Sequence, residues 1–140
     1  MIVLDASALV DVVADRAPRD AVLDRIEGER VLAPGHQLAE VSSAVVRLLR
    51  AGELDNASAE RALDDAAALV QEVVPITRDH LRRAFALRDN IRILDGIYVS
   101  LAESRDCPLV TTDGRLARSN PPCQVVMVGS SDTSAGSADG

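Results

Sequence analysis

The chain has 140 residues and a net charge of −7, from 15 basic and 22 acidic side chains. This length suits a single domain, and an apolar fraction of 47% predicts a globular fold rather than a disordered chain. The negative charge excludes a protein that grips nucleic acid by bulk positive charge. Phe85 and Tyr98 are the only Phe, Tyr or Trp residues, so base stacking on aromatic side chains is nearly excluded as well.

Short apolar runs alternate with longer amphipathic segments along the chain. The first half predicts strands at 2–4 and 31–33 and helices at 6–13, 19–27 and 37–51, the last one ending at Gly52. The second half predicts helices at 56–72 and 79–88 and strands at 73–76, 109–111 and 125–128. Strands separated by helices indicate an α/β fold with a parallel sheet covered on both faces. Ligands of such folds bind beyond the carboxyl ends of the strands.

Residues 91–99 fit two structures. Apolar residues alternate around Asp95-Gly96, which is a strong signal for a two-residue hairpin turn. The same stretch fits a helix that begins at Asp95, with Asp95 as its N-cap and Ile97, Tyr98 and Leu101 as apolar helical positions. Local rules favour neither structure.

The two ends of the chain give further expectations. From Gly129 to Gly140 the sequence consists mainly of Gly, Ser, Asp and Ala, which predicts a disordered tail after a folded domain at 1–128. The first residues carry no basic leader, and no apolar stretch approaches the roughly 20 residues that span a bilayer. We therefore expect a cytoplasmic protein with no membrane partner.

Four acids occupy positions that the predicted sheet brings to one edge. Asp5 and Asp113 follow apolar strands, whereas Glu40 and Asp95 lie near helix starts. Each alone has an ordinary explanation as a cap, a first-turn residue or a turn residue. Together they would repel each other unless a cation lay between them. Oxygen ligands suit Mg²⁺ or Mn²⁺, and the scattered histidines and cysteines offer no zinc site.

Four segments carry a more specific pattern. They are residues 3–10 (VLDASALV), Pro34 with 38–41 (LAEV), 94–103 (LDGIYVSLAE) and 108–116 (PLVTTDGRL). Together, in this order and across residues 1–128, they resemble the motifs of PIN-domain ribonucleases, specifically the VapC-type toxins of toxin–antitoxin pairs. In the third motif the acid leads a helix, which favours the helical alternative for 91–99. Gly96 departs from the pattern, because the family more often has Ala there.

The resemblance implies a PIN-like, three-layer α/β/α fold with a short, mostly parallel sheet. It also implies a metal-dependent endoribonuclease that uses Mg²⁺, with Mn²⁺ as a substitute, to hydrolyse RNA phosphodiester bonds. Its predicted catalytic residues are Asp5, Glu40, Asp95 and Asp113, of which Asp5, Asp95 and Asp113 hold the metal, with supporting hydroxyls from Ser7 and Thr111. A cognate antitoxin and a homodimer are implied as partners.

Arginines near these motifs are candidates for contacts with RNA. Arg115 and Arg118 closely follow Asp113, and we expect them to meet phosphates. A second basic run extends from Arg78 to Arg92, and ion pairs on a solvated helix face explain it equally well.

Three other functions are alternatives to the nuclease. A catalytically inactive PIN-like protein-binding module is the main alternative. A receiver-type phosphoacceptor is disfavoured, since Asp5 stands without a second acid and the chain has no Lys. A phosphatase with an Asp-x-Asp nucleophile fails at Ser7.

Overall fold

The structure, a computed structural model, describes residues 1–69 and 72–129. The strands among these residues are β1 (Ile2–Leu4), β2 (Val31–Pro34), β3 (Glu72–Val74), β4 (Leu109–Thr111) and β5 (Val125–Met127). The helices are α1 (Ala6–Val13), α2 (Arg19–Ile26), α3 (Gln37–Arg50), α4 (Asn56–Leu69), α5 (Arg78–Ala86), α6 (Ile93–Ser104) and α7 (Gly114–Ala117). In the described ranges, every helix is too short or too polar to cross a membrane. The predicted tail beyond Gly129 lies outside the described residues.

The five strands form one parallel sheet in the order β3-β2-β1-β4-β5. Parallel neighbours require crossover connections, and the helices provide them. The chain moves outward from β1 to β3, then returns to place β4 on the other side of β1. The direction of winding therefore reverses between β1 and β4, and a crevice is expected beyond their carboxyl ends.

Alternating side chains of the strands fill two separate cores. Ile2 and Leu4 pack on one face of the sheet with α1 to α4, whereas Val3 packs on the other face with Tyr98 and its neighbours on α6. Because successive side chains of a strand point to opposite faces, both faces of this sheet must be covered by helices. The predicted three-layer α/β/α architecture is confirmed.

Residues 91–99 form the start of a helix rather than a hairpin. The helix begins two residues earlier than predicted, with Arg92 as the N-cap, so the assignment of Asp95 as the N-cap was wrong. The N–H of Gly96 donates to the carbonyl of Arg92 at 2.8 Å, which closes a first turn that includes Asp95. The carboxylate of Asp95 is therefore not used to cap the helix.

The boundary between α4 and β3 also differs from the prediction. Helix α4 is described only as far as Leu69, and Glu72, predicted as its last residue, lies in β3 opposite Leu32. The strand ends at Val74 instead of residue 76. Pro75 follows directly, and a proline has no N–H to offer to a sheet.

Candidate active site

A cleft of about 920 Å³ is lined by residues that follow β1 and β4. All four predicted acids, Asp5, Glu40, Asp95 and Asp113, are among the residues that line it. They come from four separate segments: the ends of β1 and β4 and the first turns of α3 and α6. The parallel topology brings these segments to the same edge of the sheet. We refer to these acids as the four-acid site.

Asp5 is the most enclosed member of the site, with 5% of its surface exposed. It is the N-cap of α1, and its Oδ1 accepts the N–H of Ala8 at 3.0 Å. The hydroxyl of Thr111 donates to Oδ2 at 2.6 Å, and that of Ser7 donates to Oδ1 at 2.8 Å. Burial raises the pKa of Asp5 to about 6, although these hydrogen bonds act in the opposite direction. Both predicted hydroxyl residues thus contact the carboxylate of Asp5.

Asp95 and Asp113 are joined by one arginine. A single nitrogen, Nη2 of Arg115, lies 2.9 Å from Oδ2 of Asp95 and 2.9 Å from Oδ2 of Asp113. Arg92 adds a contact of 3.2 Å from its Nε to the same oxygen of Asp95. The hydrogen bond to Asp95 is the largest of the effects that raise the pKa of the Arg115 guanidinium. This guanidinium therefore stays charged between the two carboxylates.

Glu40 lies against two residues outside the predicted set. The hydroxyl of Tyr98 donates to its Oε1 at 2.8 Å. Nε2 of His36 lies 3.3 Å from the same oxygen, although its hydrogen-bond partner is the carbonyl oxygen of Leu94 at 3.0 Å. Burial and the neighbouring Glu40 carboxylate raise the pKa of Tyr98, so its phenol remains a donor. Helical spacing carries a signal for His36, which precedes Glu40 by four residues. It also places Tyr98 on the same side of α6 as Asp95, but the contact of Tyr98 with α3 has no local signal.

Neither predicted phosphate contact is among the residues that line the cleft. Arg115 contacts two of the acids, whereas the guanidinium of Arg118 covers Gly114, where an added Cβ would come within 2.7 Å of its Nη1. Three other arginines line the cleft instead: Arg16, Arg47 and Arg92. Arg92 is the member of the predicted 78–92 basic run that reaches this site.

Asp11 is a fifth acid in the cleft lining. It accepts the Thr112 hydroxyl at 2.6 Å and pairs with Arg16 at 3.2 Å. Both of its recorded contacts are thus with groups other than the four acids. Its position four residues after Ser7 on α1 is the signal that would have found it.

The side chains of the four-acid site have the donor chemistry of a metal site but are not close enough together to form one in this structure. Within residues 1–69 and 72–129, no three acidic, His or Cys side chains are drawn close enough together to hold a metal. The donors that face the cleft are nevertheless carboxylate oxygens, which suit Mg²⁺ and Mn²⁺. Burial disfavours the charged form of Asp5, and a bound cation would favour it. The chemistry of the donors therefore fits a hard divalent ion, with Arg115 serving as the positive charge in this structure.

The chain as a whole is similar to a known family of proteins. The PIN domain family model matches residues 2–120. Ribonuclease VapC3 of Mycobacterium tuberculosis is 40% identical over 130 residues, which cover 89% of this chain and 91% of the relative. Two solved structures share the fold. A toxin–antitoxin complex from Klebsiella pneumoniae has a TM-score of 0.68 at 18% identity, covering 91% and 97% of the two chains. M. tuberculosis VapC20, a sarcin–ricin loop cleaving toxin, has a TM-score of 0.63 at 19% identity, covering 86% and 95%.

Proposed function

The chain belongs to the PIN-domain family, among the VapC ribonuclease toxins of toxin–antitoxin systems, and on that premise we propose that it hydrolyses RNA with Mg²⁺ bound at the four-acid site. Asp5, Asp95 and Asp113 are the proposed metal ligands, Glu40 is the proposed base, and Mn²⁺ is a substitute for Mg²⁺. The observation that supports this best is that four acids from distant segments line one cleft. Structural roles as separate caps would not require them to share a cleft.

The proposed ligands are oriented by the chain itself. Thr111 and Ser7 donate to Asp5, so its carboxylate is held in one orientation. Asp113 uses Oδ1 to accept the backbone N–H groups of Arg115 and Leu116, which leaves Oδ2 directed away from the helix cap. When bound, Mg²⁺ supplies positive charge that screens the phosphate and makes a nearby water more acidic.

Glu40 has the contacts expected of a base that acts on water. Tyr98 and His36 both contact Oε1, and Oε2 is the oxygen we assign to the water. Glu40 accepts a proton as the water oxygen bonds to phosphorus and the bond from phosphorus to the 3′ oxygen breaks, and the leaving 3′ oxygen takes a proton from solvent. The products are a 5′ phosphate and a 3′ hydroxyl.

The cleft also contains groups suited to the RNA backbone. Arg16, Arg47 and Arg92 line it together with the acids, and guanidinium groups bind phosphates with two parallel hydrogen bonds. Since the chain has one Phe and one Tyr, with Tyr98 fully buried, binding through phosphates and RNA shape is favoured over base stacking.

Family membership supports two protein partners. We propose that a cognate antitoxin binds this toxin and blocks its activity, and that the toxin forms a homodimer. The proposed site of action is the cytoplasm, where such a toxin meets cellular RNA.

The test is cleavage of total RNA by the purified protein in Mg²⁺ and in EDTA. We expect cleavage in Mg²⁺ only, with 5′-phosphate ends, and loss of cleavage in Asp5→Asn and Asp113→Asn. Asp64→Asn makes the same change at an exposed position on α4 and should keep full activity.

Three results would contradict this proposal. Full activity of Asp5→Asn, or equal cleavage in EDTA, would remove the metal mechanism. A protein that cleaves no RNA and whose melting temperature does not respond to Mg²⁺ would instead be a protein-binding module.

A further inference from the structure

Arg115 occupies an unusual position among the four acids. Its Nη2 atom is shared by Oδ2 of Asp95 and Oδ2 of Asp113, at 2.9 Å from each. Oδ1 of Asp113 is already used to cap α7, so Oδ2 is the oxygen left to bind a cation. Arg115 therefore contacts the one oxygen of Asp113 that a metal would need.

The two carboxylates also depend on this arginine. The side chain of Asp95 is only 11% exposed, and a carboxylate removed from water is costly unless an opposite charge or hydrogen bonds compensate it. Arg115 supplies that charge to Asp95 and Asp113 together. Its own side chain is 46% exposed, so it can leave this position for solvent or a ligand without opening the core.

We propose that Arg115 is an exchangeable counter-cation: it neutralises Asp95 and Asp113 in the metal-free protein, is displaced when a divalent ion binds, and then contacts an RNA phosphate. This inference rests on the proposed metal-dependent function and adds a coupling between the binding of the metal ion and the binding of RNA. A guanidinium and a metal ion repel each other and compete for the same oxygens. Once displaced, the guanidinium lies beside the site and can bind a phosphate through two hydrogen bonds. Metal binding therefore strengthens RNA binding, and RNA strengthens metal binding by the same factor.

The first experiment measures Mn²⁺ binding to the full chain by calorimetry, with no RNA present. Arg115→Gln removes the competing charge and should bind Mn²⁺ about tenfold more tightly than the wild type. Arg115→Lys keeps a charge but lacks the planar fork, and its affinity should lie between the two. Arg105→Gln is the matched control because it lies about 15 Å along α6 from Asp95, and its Mn²⁺ affinity should equal that of the wild type.

Melting temperatures provide a second readout. In EDTA, Arg115→Gln should melt below the wild type because Asp113 loses this ion pair and Asp95 keeps only the longer contact with Arg92. Adding Mg²⁺ should raise the melting temperature of the variant more than that of the wild type. Arg115→Lys provides the comparison if the Gln variant is too unstable to purify.

The second experiment measures binding of a short single-stranded RNA by fluorescence anisotropy, with Glu40→Gln present in every protein so that the residual cleavage is slow compared with the binding measurement. Adding Mg²⁺ should increase RNA affinity by a larger factor when Arg115 is present than in Arg115→Gln. An equal Mg²⁺ effect in the two proteins, or Mn²⁺ affinity in Arg115→Gln no higher than in the wild type, would overturn the exchange. If the wild type binds no Mn²⁺ at all, the metal site of the proposed function has failed instead.

Discussion

The hydroxyl of Thr111, the last residue of β4, donates a 2.6 Å hydrogen bond to Oδ2 of Asp5, the residue that follows β1. Thr111 is fully buried and Asp5 nearly so. The bond therefore connects two neighbouring strands at the position where the winding of the sheet reverses. It also favours the charged form of Asp5, since a hydrogen bond donated to a carboxylate lowers its pKa.

Replacing Thr111 with Val should move the pH dependence of RNA cleavage. Without the hydroxyl, the pKa of Asp5 in the metal-free protein rises further above about 6, so the ionised carboxylate that Mg²⁺ must bind forms only at a higher pH. The acid limb of kcat/KM should shift upward by about one pH unit, since one unit corresponds to roughly the energy of one such hydrogen bond. Thr77→Val is the control, because the Thr77 hydroxyl caps α5 and Thr77 is not among the residues that line the cleft, so the acid limb should stay in place. If the acid limb of kcat/KM lies at the same pH in Thr111→Val and in the wild type, this hydroxyl does not have the proposed role.

Asp5→Asn should change how the stability of the metal-free protein depends on pH. The pKa of Asp5 is about 6 in the folded state against an ordinary value of 3.8. Between these values the unfolded chain loses its proton first, so the wild type loses stability as pH rises through this window, and the loss is complete above about pH 6. Asn does not titrate, so the variant should gain up to about 3 kcal/mol relative to the wild type between about pH 4 and pH 7.

Urea unfolding in EDTA at about pH 4 and at about pH 7 measures this difference. The comparison uses the change between the two pH values, because any hydrogen bond that Asn fails to make lowers stability equally at both. Asp64→Asn, on an exposed face, should show no such pH-dependent gain. If the free energy of unfolding changes with pH by the same amount in Asp5→Asn and the wild type, burial does not raise the pKa of Asp5.

Tyr98→Phe should slow RNA cleavage while leaving substrate binding nearly unchanged. The phenol donates to Oε1 of Glu40, and its loss leaves the proposed base less well positioned. We expect kcat to fall about tenfold or more and the free energy of unfolding to fall by about 1.5–3 kcal/mol, as for a hydrogen bond to a charged group. Phe85→Leu alters the other aromatic residue, which is exposed, and should leave kcat unchanged.

A double variant separates positioning from general damage to the fold. In a Glu40→Gln background, Tyr98→Phe should reduce kcat little further, because the group that Tyr98 positions has already been altered. If Tyr98→Phe lowers kcat by the same factor in both backgrounds, Tyr98 acts independently of Glu40.

Gly96→Ala should destabilise the protein although it improves helix propensity. A Cβ at this position would lie 2.9 Å from Cβ and 3.0 Å from Cα of Ala84, on the neighbouring helix α5. The clash should cost about 1–3 kcal/mol and outweigh the gain of about 1 kcal/mol from replacing a helical glycine. Thermal unfolding measures the effect. Combining it with Ala84→Gly should recover part of the loss, and a more stable single variant would contradict this close packing.

Much of the fold could be predicted from local patterns. Short apolar runs, amphipathic periods and the acids at strand ends are properties of neighbouring residues, and they do not depend on distant parts of the chain. The strands at Ile2–Leu4 and Leu109–Thr111 and the helix at Ala6–Val13 were predicted with the observed bounds. The four motifs likewise predicted which acids to examine, and those acids share a cleft.

Contacts between distant segments were decided only by the tertiary structure. The start of α6 at Ile93, the division between α4 and β3, and the contacts of Glu40 with Tyr98 and of Asp95 with Arg115 all depend on elements far apart in the chain. A local pattern carries no information about which oxygen of a carboxylate a remote arginine will reach. The amino-acid order by itself therefore determined the acids and the layers of the fold, whereas folding determined their partners, because hydrogen bonds and ion pairs form only between groups that packing has brought within about 3 Å of each other.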